Sequence, residues 1–230
     1  MKYPKLQKAF FILLVIIALF LSSCNPAYVP NVVNTPLLSN HGEFQGTVYV
    51  GSSGFDPQIA FGLTDHVGVM LNGSFDDRTS DSTDSFHKHQ FYEIGAGYYT
   101  KIGDYGRYET FAGFGFGKLK AKHEILFWDD YVDVDCNRIF LQHSIGLTSK
   151  AIDGSFSTRI VMLNLTQGLQ KQTGYFIEPV ITGKIGFQYI KTVMQFGLSI
   201  PLNKEKFDFD HQPLLFSIGI QANMDRIYNK

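Results

Sequence analysis

Five charged residues lie on the polar sides of segments in which apolar and polar residues alternate: Glu93, Glu109, Arg159, Glu178 and Lys184. Alternation with a period of two is typical of β-strands, because successive side chains of a strand point to opposite faces. A charge enclosed in a narrow β-structure is costly unless it is paired. We therefore predict a network of the three carboxylates against Arg159 and Lys184. The network either fills and rigidifies a closed interior, the interpretation favoured here, or lines a path for an ion or solute.

Two histidines, His87 and His89, follow a stretch that contains Asp76, Asp77, Asp81 and Asp84. On one strand the two imidazoles would share a face and could bind a metal ion weakly. No Cys/His spacing of a structural metal site accompanies them. We predict a solvated loop here and no metal site.

The adjacent pair His143-Ser144 invites a hydrolase interpretation, since Ser and His are a nucleophile and its base. Neighbouring residues on a strand point to opposite faces, however, so these two cannot readily hydrogen-bond each other. The chain also lacks the G-x-S-x-G nucleophile elbow. We predict that the protein is not an enzyme.

The N-terminus has the pattern of an export signal. Lys2, Lys5 and Lys8 precede the apolar run Ala9 to Leu21, which is too short for an ordinary membrane span and fits a signal peptide. The following Leu21-Ser22-Ser23-Cys24 resembles the lipobox of bacterial lipoproteins. The resemblance implies cleavage before Cys24 and a thioether-linked lipid with palmitate-type chains on its sulfur. The alternative is an uncleaved membrane anchor with a chance cysteine.

The predicted domains are a lipoprotein signal peptide over residues 1–23, a lipid-tethered linker over 24–41 and a β-barrel over 42–230. The linker is rich in Pro and Asn, which predicts an extended chain. Asn25 stands where an Asp would signal retention in the inner membrane, which favours the outer membrane. Cys136 is the other cysteine of the chain and is predicted to be a free thiol in a loop. We expect no cofactor beyond the covalent lipid.

Composition favours sheet. Aromatic residues make up 15% of the chain, and 22 glycines accompany them. The net charge of -1 provides no basic stripe for nucleic acid. Period-two alternation predicts about ten strands, with eight or twelve as alternatives. The strands are placed near 43–51, 56–64, 66–75, 88–101, 107–118, 137–149, 155–165, 175–190, 192–202 and 212–224.

The predicted connections alternate between short and long. Short turns lie at 64–66, 103–106, 151–154 and near Lys191, and long polar loops at 76–87, 119–136, 166–174 and 203–211. Outer-membrane barrels have tight periplasmic turns and longer external loops. An even strand number returns the C-terminus to the periplasmic side, where an inner-leaflet lipid on Cys24 would also hold the N-terminus. Trp128 to Tyr131 would form an external contact patch or fold over the barrel mouth.

A soluble sandwich would alternate in the same way, so other features decide. The non-apolar faces carry Gly, Ser, Thr and Gln rather than the many charges of a water-facing surface. The strands are roughly 10–14 residues long, and about 9–11 are needed to cross the hydrocarbon. Tyrosines near strand ends fit an interfacial girdle. They are Tyr92, Tyr98, Tyr99, Tyr108, Tyr175 and Tyr189. The fold predicted is an all-β, antiparallel, up-and-down barrel of the transmembrane type.

The runs QIAFGLTDHVGVMLNGSF (58–75) and FIEPVITGKIGFQYIKTVMQFGLSI (176–200) resemble the small outer-membrane β-barrel proteins common in Bacteroidetes. This resemblance implies a barrel in the cell outer membrane, with membrane lipids and the lipoprotein-processing and barrel-assembly machineries as partners. The function expected is a structural or surface-contact role in the envelope. The alternatives are a narrow pore or solute-binding barrel, and a lipid-tethered soluble periplasmic β-fold that binds a small apolar ligand.

Overall fold

The computed structural model describes residue 26 and residues 28–79, 85–125, 128–203 and 210–226, without the side chains of residues 123–130. The predicted signal peptide (1–23) and the lipid-bearing Cys24 lie outside the described residues. In the described part of the chain, no helix is long and apolar enough to cross a membrane.

Antiparallel strands make up most of the described chain beyond residue 43. They are β1 (Phe44–Gly51), β2 (Gly54–Gly62), β3 (Val67–Thr79), β4 (Phe86–Ile102), β5 (Gly106–Ile125), β6 (Trp128–Leu147), β7 (Ile152–Gln167), β8 (Gln170–Gly186), β9 (Ile190–Leu198), β10 (Ile200–Pro201) and β11 (Leu214–Met224). β9 and β10 keep one register against β8, since Gly197 pairs with Val180 and Ile200 with Ile177. They form a single barrel strand that is interrupted opposite Pro179, which has no N–H to donate.

The sheet closes on itself. When β9 and β10 are counted as one strand, each strand pairs with the next, and β11 pairs with both β9 and β1. The described residues therefore form an up-and-down barrel of ten strands, as the alternation predicted. The tight connections at 63–66, 103–105, 148–151 and 187–189 share one end, called the turn end, with the start of β1 and the end of β11. The opposite end is called the loop end.

The outer surface carries an apolar band, which Thr110 and His143 interrupt on β5 and β6. On β5 and β6 its outward residues run from Tyr108 to Phe116 and from Ile139 to Leu147, nine positions on each strand. A tilted strand needs about 9–11 residues to cross the hydrocarbon of a bilayer. Large apolar side chains within the band, such as Ile94 and Phe114, are exposed on this surface. Buried polar and charged residues, among them Glu109, Arg138 and Gln142, lie on the inward faces of the same strands.

Strands β5 and β6 continue for 20 residues each, so the prediction of a loop over 119–136 was wrong. Beyond the apolar band the alternation persists with inverted polarity. Leu119 and Val134 are buried on the inner face, whereas Lys120 and Asp133 form an ion pair of 2.8 Å outside. Lys120 lowers the pKa of the Asp133 carboxyl. The loops predicted at 76–87 and 166–174 are also shorter in the structure than in the prediction. Residues 76–79, 86–87, 166–167 and 170–174 belong to strands.

The lumen is occupied by the chain itself. Residues 28–40, here called the lumen segment, are buried along their whole length and contain no helix or regular strand. At the loop end, Tyr28 N donates to Asp210 O and Gln212 N donates to Tyr28 O. At the turn end, Asn40 Nδ2 donates to Asp225 O, and β1 follows. Residues 28–40 of the stretch predicted to be a lipid-tethered linker therefore run through the barrel from the loop end to the turn end.

Candidate functional site

The five charged residues predicted from the alternation all lie inside the barrel and are buried. Three of them come together at mid-height. Arg159 forms an ion pair of 2.7 Å with Glu178 and lies 3.9 Å from Glu93. Arg138, which the sequence analysis did not single out, is paired with the other oxygen of Glu93. Glu93, Arg138, Arg159 and Glu178 are called the mid-barrel cluster, and it contains two carboxylates and two guanidiniums.

The lumen segment completes this cluster. Arg138 Nη1 donates to the Tyr28 hydroxyl at 2.9 Å, and that hydroxyl donates to Glu178 Oε1 at 3.1 Å. Asn31 Nδ2 donates to Glu93 Oε2 at 2.6 Å. The ring of Phe91 lies 4.6 Å from the Arg138 guanidinium carbon. Buried charges of both signs therefore have partners from the barrel wall and from the segment inside it.

The other two predicted charges, Glu109 and Lys184, lie nearer the turn end and bind the lumen segment directly. Glu109 Oε1 accepts a hydrogen bond from Leu38 N at 2.7 Å, and Lys184 Nζ donates to Thr35 O at 2.7 Å. Of the five predicted charges, three thus belong to the mid-barrel cluster, and the other two bind the lumen segment separately.

A second ionic cluster, missed from the sequence, closes the turn end. Arg226 contacts Glu43 at 2.6 Å and Asp153 at 3.1 Å, and Lys191 contacts Asp153 at 2.6 Å. All four residues are buried, and they are called the turn-end cluster. Lys191, near which a turn was predicted, lies in β9. All four residues lie at or just beyond the ends of strands, where the alternation of apolar and polar residues is too short to assign a side chain to one face.

The wall holds the lumen segment chiefly by its backbone. Seven consecutive carbonyl oxygens, from residue 31 to residue 37, accept hydrogen bonds from buried wall side chains. The donors are Arg159, Gln58, Gln195, Gln142, Lys184 and Arg226. Glu43 and Glu109 accept hydrogen bonds from the N–H groups of Ser39 and Leu38. A buried peptide backbone requires such partners, and here long polar side chains provide them in place of a neighbouring strand.

Three residues at the loop end bring possible metal ligands together. Ligand atoms of Asp76, His87 and His89 all lie within 4.8 Å of one another. His87 and His89 lie on the inner face of β4, beyond the apolar band, and both are buried. Burial lowers the pKa of His87 to about 4 and that of His89 to about 3, so both rings are neutral near pH 7. The solvated loop predicted for these histidines was wrong.

Other residues considered in the sequence take up distinct positions. Ser144 points inward and bonds Ser157 Oγ at 2.8 Å, whereas His143 points outward and bonds Thr110 Oγ1 at 2.9 Å. The two side chains of the pair are on opposite faces. The side chains of residues 128–130, within the predicted contact patch, lie outside the described residues.

Two predictions about individual residues were wrong. Cys136 is a free thiol, but it is buried on the inner face of β6 and not in a loop. Tyr99 does not join an outer girdle, because its ring points inward and its hydroxyl donates to Thr64 O. The preceding residue, Tyr98, is exposed on the outer face instead. Tyr92, Tyr175 and Tyr189 are also exposed.

No protein-family model matches the chain, and no curated protein sequence matches it. Among solved structures it is similar to the translocator domain of autotransporter NalP from Neisseria meningitidis. The two share 12% sequence identity over 82% of this chain and 86% of that chain, with a TM-score of 0.43. The barrel fold agrees with the coarse part of the resemblance to small outer-membrane barrels, and no family model supports the Bacteroidetes part.

Proposed function

We propose that this protein is a closed, self-plugged outer-membrane β-barrel lipoprotein with a structural or surface-contact role in the envelope. The occupied lumen carries the proposal. Side chains from β2, β6, β7, β8 and β9 bond the backbone of the lumen segment, so the interior is filled across its width. A lumen that is filled by a segment bonded to the wall favours a closed barrel over a narrow pore. The hairpins beyond the apolar band then provide the surface for contact.

The apolar band supports residence in a bilayer. A soluble periplasmic barrel would present polar residues to water and an apolar interior to its ligand. Here the arrangement is reversed within the band, where Ile139 and Phe114 face outward and Gln142 and Ser157 face inward. This is the pattern of membrane barrels, which are apolar outside and polar inside.

The lipoprotein part of the proposal rests on the N-terminal sequence. It includes cleavage of residues 1–23, a lipid on Cys24, and the lipoprotein-processing and barrel-assembly machineries as partners. We propose no catalytic activity and no cofactor other than the lipid.

The path of the lumen segment favours a lipid on the loop side of the membrane. Tyr28 is bonded to the β10–β11 connection at the loop end. Tyr28 is four positions after Cys24, and this stretch spans at most about 14 Å when extended. The apolar band of an outer-membrane barrel is about 25 Å tall, so Cys24 cannot return to the turn side while the segment occupies the lumen. With the loop end facing the exterior, the lipid would enter the outer leaflet, rather than the inner leaflet expected from the sequence.

Conductance in a planar bilayer tests the closed state. The folded full-length protein should give no steady channel. A variant that lacks residues 28–38 should conduct, provided that it still shows the faster gel mobility of an unboiled barrel. A steady channel in the full-length protein would refute the plug, whatever the deletion variant does.

Thiol labelling of intact cells tests the orientation. In a Cys136→Ser background, Pro26→Cys and Asp133→Cys should react with a membrane-impermeant maleimide, whereas Tyr105→Cys at the turn end should react only after permeabilisation. Labelling of Tyr105→Cys but not Pro26→Cys in intact cells would contradict the proposed topology. Labelling of Asp133→Cys alone would show that the loops are external but that the segment does not reach the loop end.

A further inference from the structure

A pair of neighbouring strands aligns the three possible metal ligands at the loop end. Asp76 of β3 lies directly opposite His89 of β4, and His87 precedes His89 by two positions on the same face. All three side chains therefore lie on the inner face of the β3–β4 hairpin, just beyond the apolar band. The fixed register of an antiparallel pair holds them together without help from a loop.

The two imidazoles already have nearly the separation that a metal ion requires. His87 Nε2 and His89 Nδ1 are 2.9 Å apart. Zinc binds imidazole nitrogen at about 2.0–2.1 Å, and a tetrahedral angle between two such bonds places the nitrogens about 3.3 Å apart. If the two nitrogens moved apart by a few tenths of an ångström and the rings turned toward a common point, one ion could bind both.

The surrounding groups hold the ligands in the orientation that metal sites use. The other nitrogen of His89, Nε2, is 2.9 Å from Ser74 Oγ, which leaves Nδ1 directed at His87. Metal-binding histidines commonly use their second nitrogen in this way. Arg78 donates a hydrogen bond to Oδ2 of Asp76. The other carboxylate oxygen of Asp76 is the one that could bind a metal ion. Both rings are buried on the inner face of the barrel.

We propose that Asp76, His87 and His89 bind a divalent transition-metal ion of the zinc type, with water in the remaining position. Two imidazole nitrogens and one carboxylate oxygen suit zinc and its neighbours better than calcium or magnesium, which prefer oxygen ligands. The ion would link β3 to β4 where the two strands leave the apolar band. This proposal departs from the sequence-based expectation of no metal.

The test is titration of the folded full-length protein in detergent micelles with Zn²⁺ by calorimetry and with Co²⁺ by visible absorption. One ion per chain should bind, and bound Co²⁺ should give the intense visible bands of a low-coordinate site. His87→Gln and His89→Gln should each weaken binding by at least about 10–100-fold, the effect known for loss of groups that only support a ligand.

Matched variants separate this site from adventitious binding. His143→Gln removes an outward histidine on β6, and Asp77→Asn removes the exposed neighbour of Asp76. Both should bind Zn²⁺ as the wild type does. If a histidine variant fails to show the gel mobility of a folded barrel, Asp76→Asn takes its place and should also weaken binding. Absence of binding in the wild type, or equal binding by wild type and the folded ligand variants, would overturn the proposal.

Discussion

At the scale of single residues, Arg138 shows how this barrel encloses a charge. Its guanidinium bonds Glu93, Asn31 and the Tyr28 hydroxyl, and it is buried. Arg138→Met would leave Glu93 with Arg159 at 3.9 Å as its remaining ion-pair partner. We expect the free energy of unfolding to fall by about 3–5 kcal/mol, because a buried charge loses its partner. Urea unfolding of the detergent-folded protein measures this change.

A double variant distinguishes the lost ion pair from lost packing. Arg138→Met with Glu93→Gln should be less destabilised than the sum of the two single variants, since neither charge is then left alone. Lys120→Gln breaks an exposed pair and should resemble the wild type. If Arg138→Met were as stable as Lys120→Gln, the mid-barrel cluster would not stabilise the fold.

Sequence alternation was sufficient to place part of this interior. Glu93, Arg159 and Glu178 could be assigned to inward faces because the apolar residues on either side define the opposite face. Arg138 has the same parity as Gln142 and Ser144, so the same alternation assigns its side chain to the inner face. Arg226 lies beyond β11, where no alternation exists to place it.

At the scale of elements, close contact between strands β4 and β5 depends on Gly97. A Cβ at this position would collide with the Thr110 backbone oxygen and would lie 2.7 Å from Phe111 Cα. The buried Phe111 ring lies across the space that the glycine leaves. We expect Gly97→Ala to destabilise the barrel by about 1–3 kcal/mol, the usual cost of overpacking.

Gly154 provides the control for this substitution. It also lies in a strand, β7, but a Cβ there would meet nothing within 4 Å. Gly154→Ala should therefore leave the urea midpoint unchanged or raise it slightly. Equal effects of the two substitutions would show that strand propensity, and not the contact with Thr110 and Phe111, determines the loss.

The ten strands could be predicted because one face of each is apolar and the period is two. The hairpin extension of β5 and β6 was missed because charged residues become the outward set there, and a charged stretch was interpreted as a loop. The lumen segment was missed for a different reason. Its wall contacts are made largely to backbone carbonyl groups, which every residue has, so its own side chains carry little sign of where it lies.

At the scale of the whole molecule, polarity is distributed in two layers. Within the apolar band the outside is apolar and the inside is polar and charged. On β5 and β6 the relation inverts beyond the band at the loop end, with Lys118 and Asp135 outside and Leu119 and Val134 buried inside. The level at which the inversion occurs, just beyond Phe116, marks the expected boundary between hydrocarbon and water.

A pair of arginine substitutions on β6 tests this boundary directly. Leu141 lies near the middle of the band and Asn137 just outside its edge, and both side chains face outward. In phospholipid vesicles, Leu141→Arg should lower the free energy of unfolding by about 2–4 kcal/mol, whereas Asn137→Arg should lower it by about 0–1 kcal/mol. Reversible urea unfolding of the vesicle-inserted protein measures both values. A water-soluble barrel would tolerate an arginine equally well at the two positions, because neither side chain would leave water. The difference between the two variants therefore reports the surrounding solvent, and a difference near zero would contradict insertion in a bilayer.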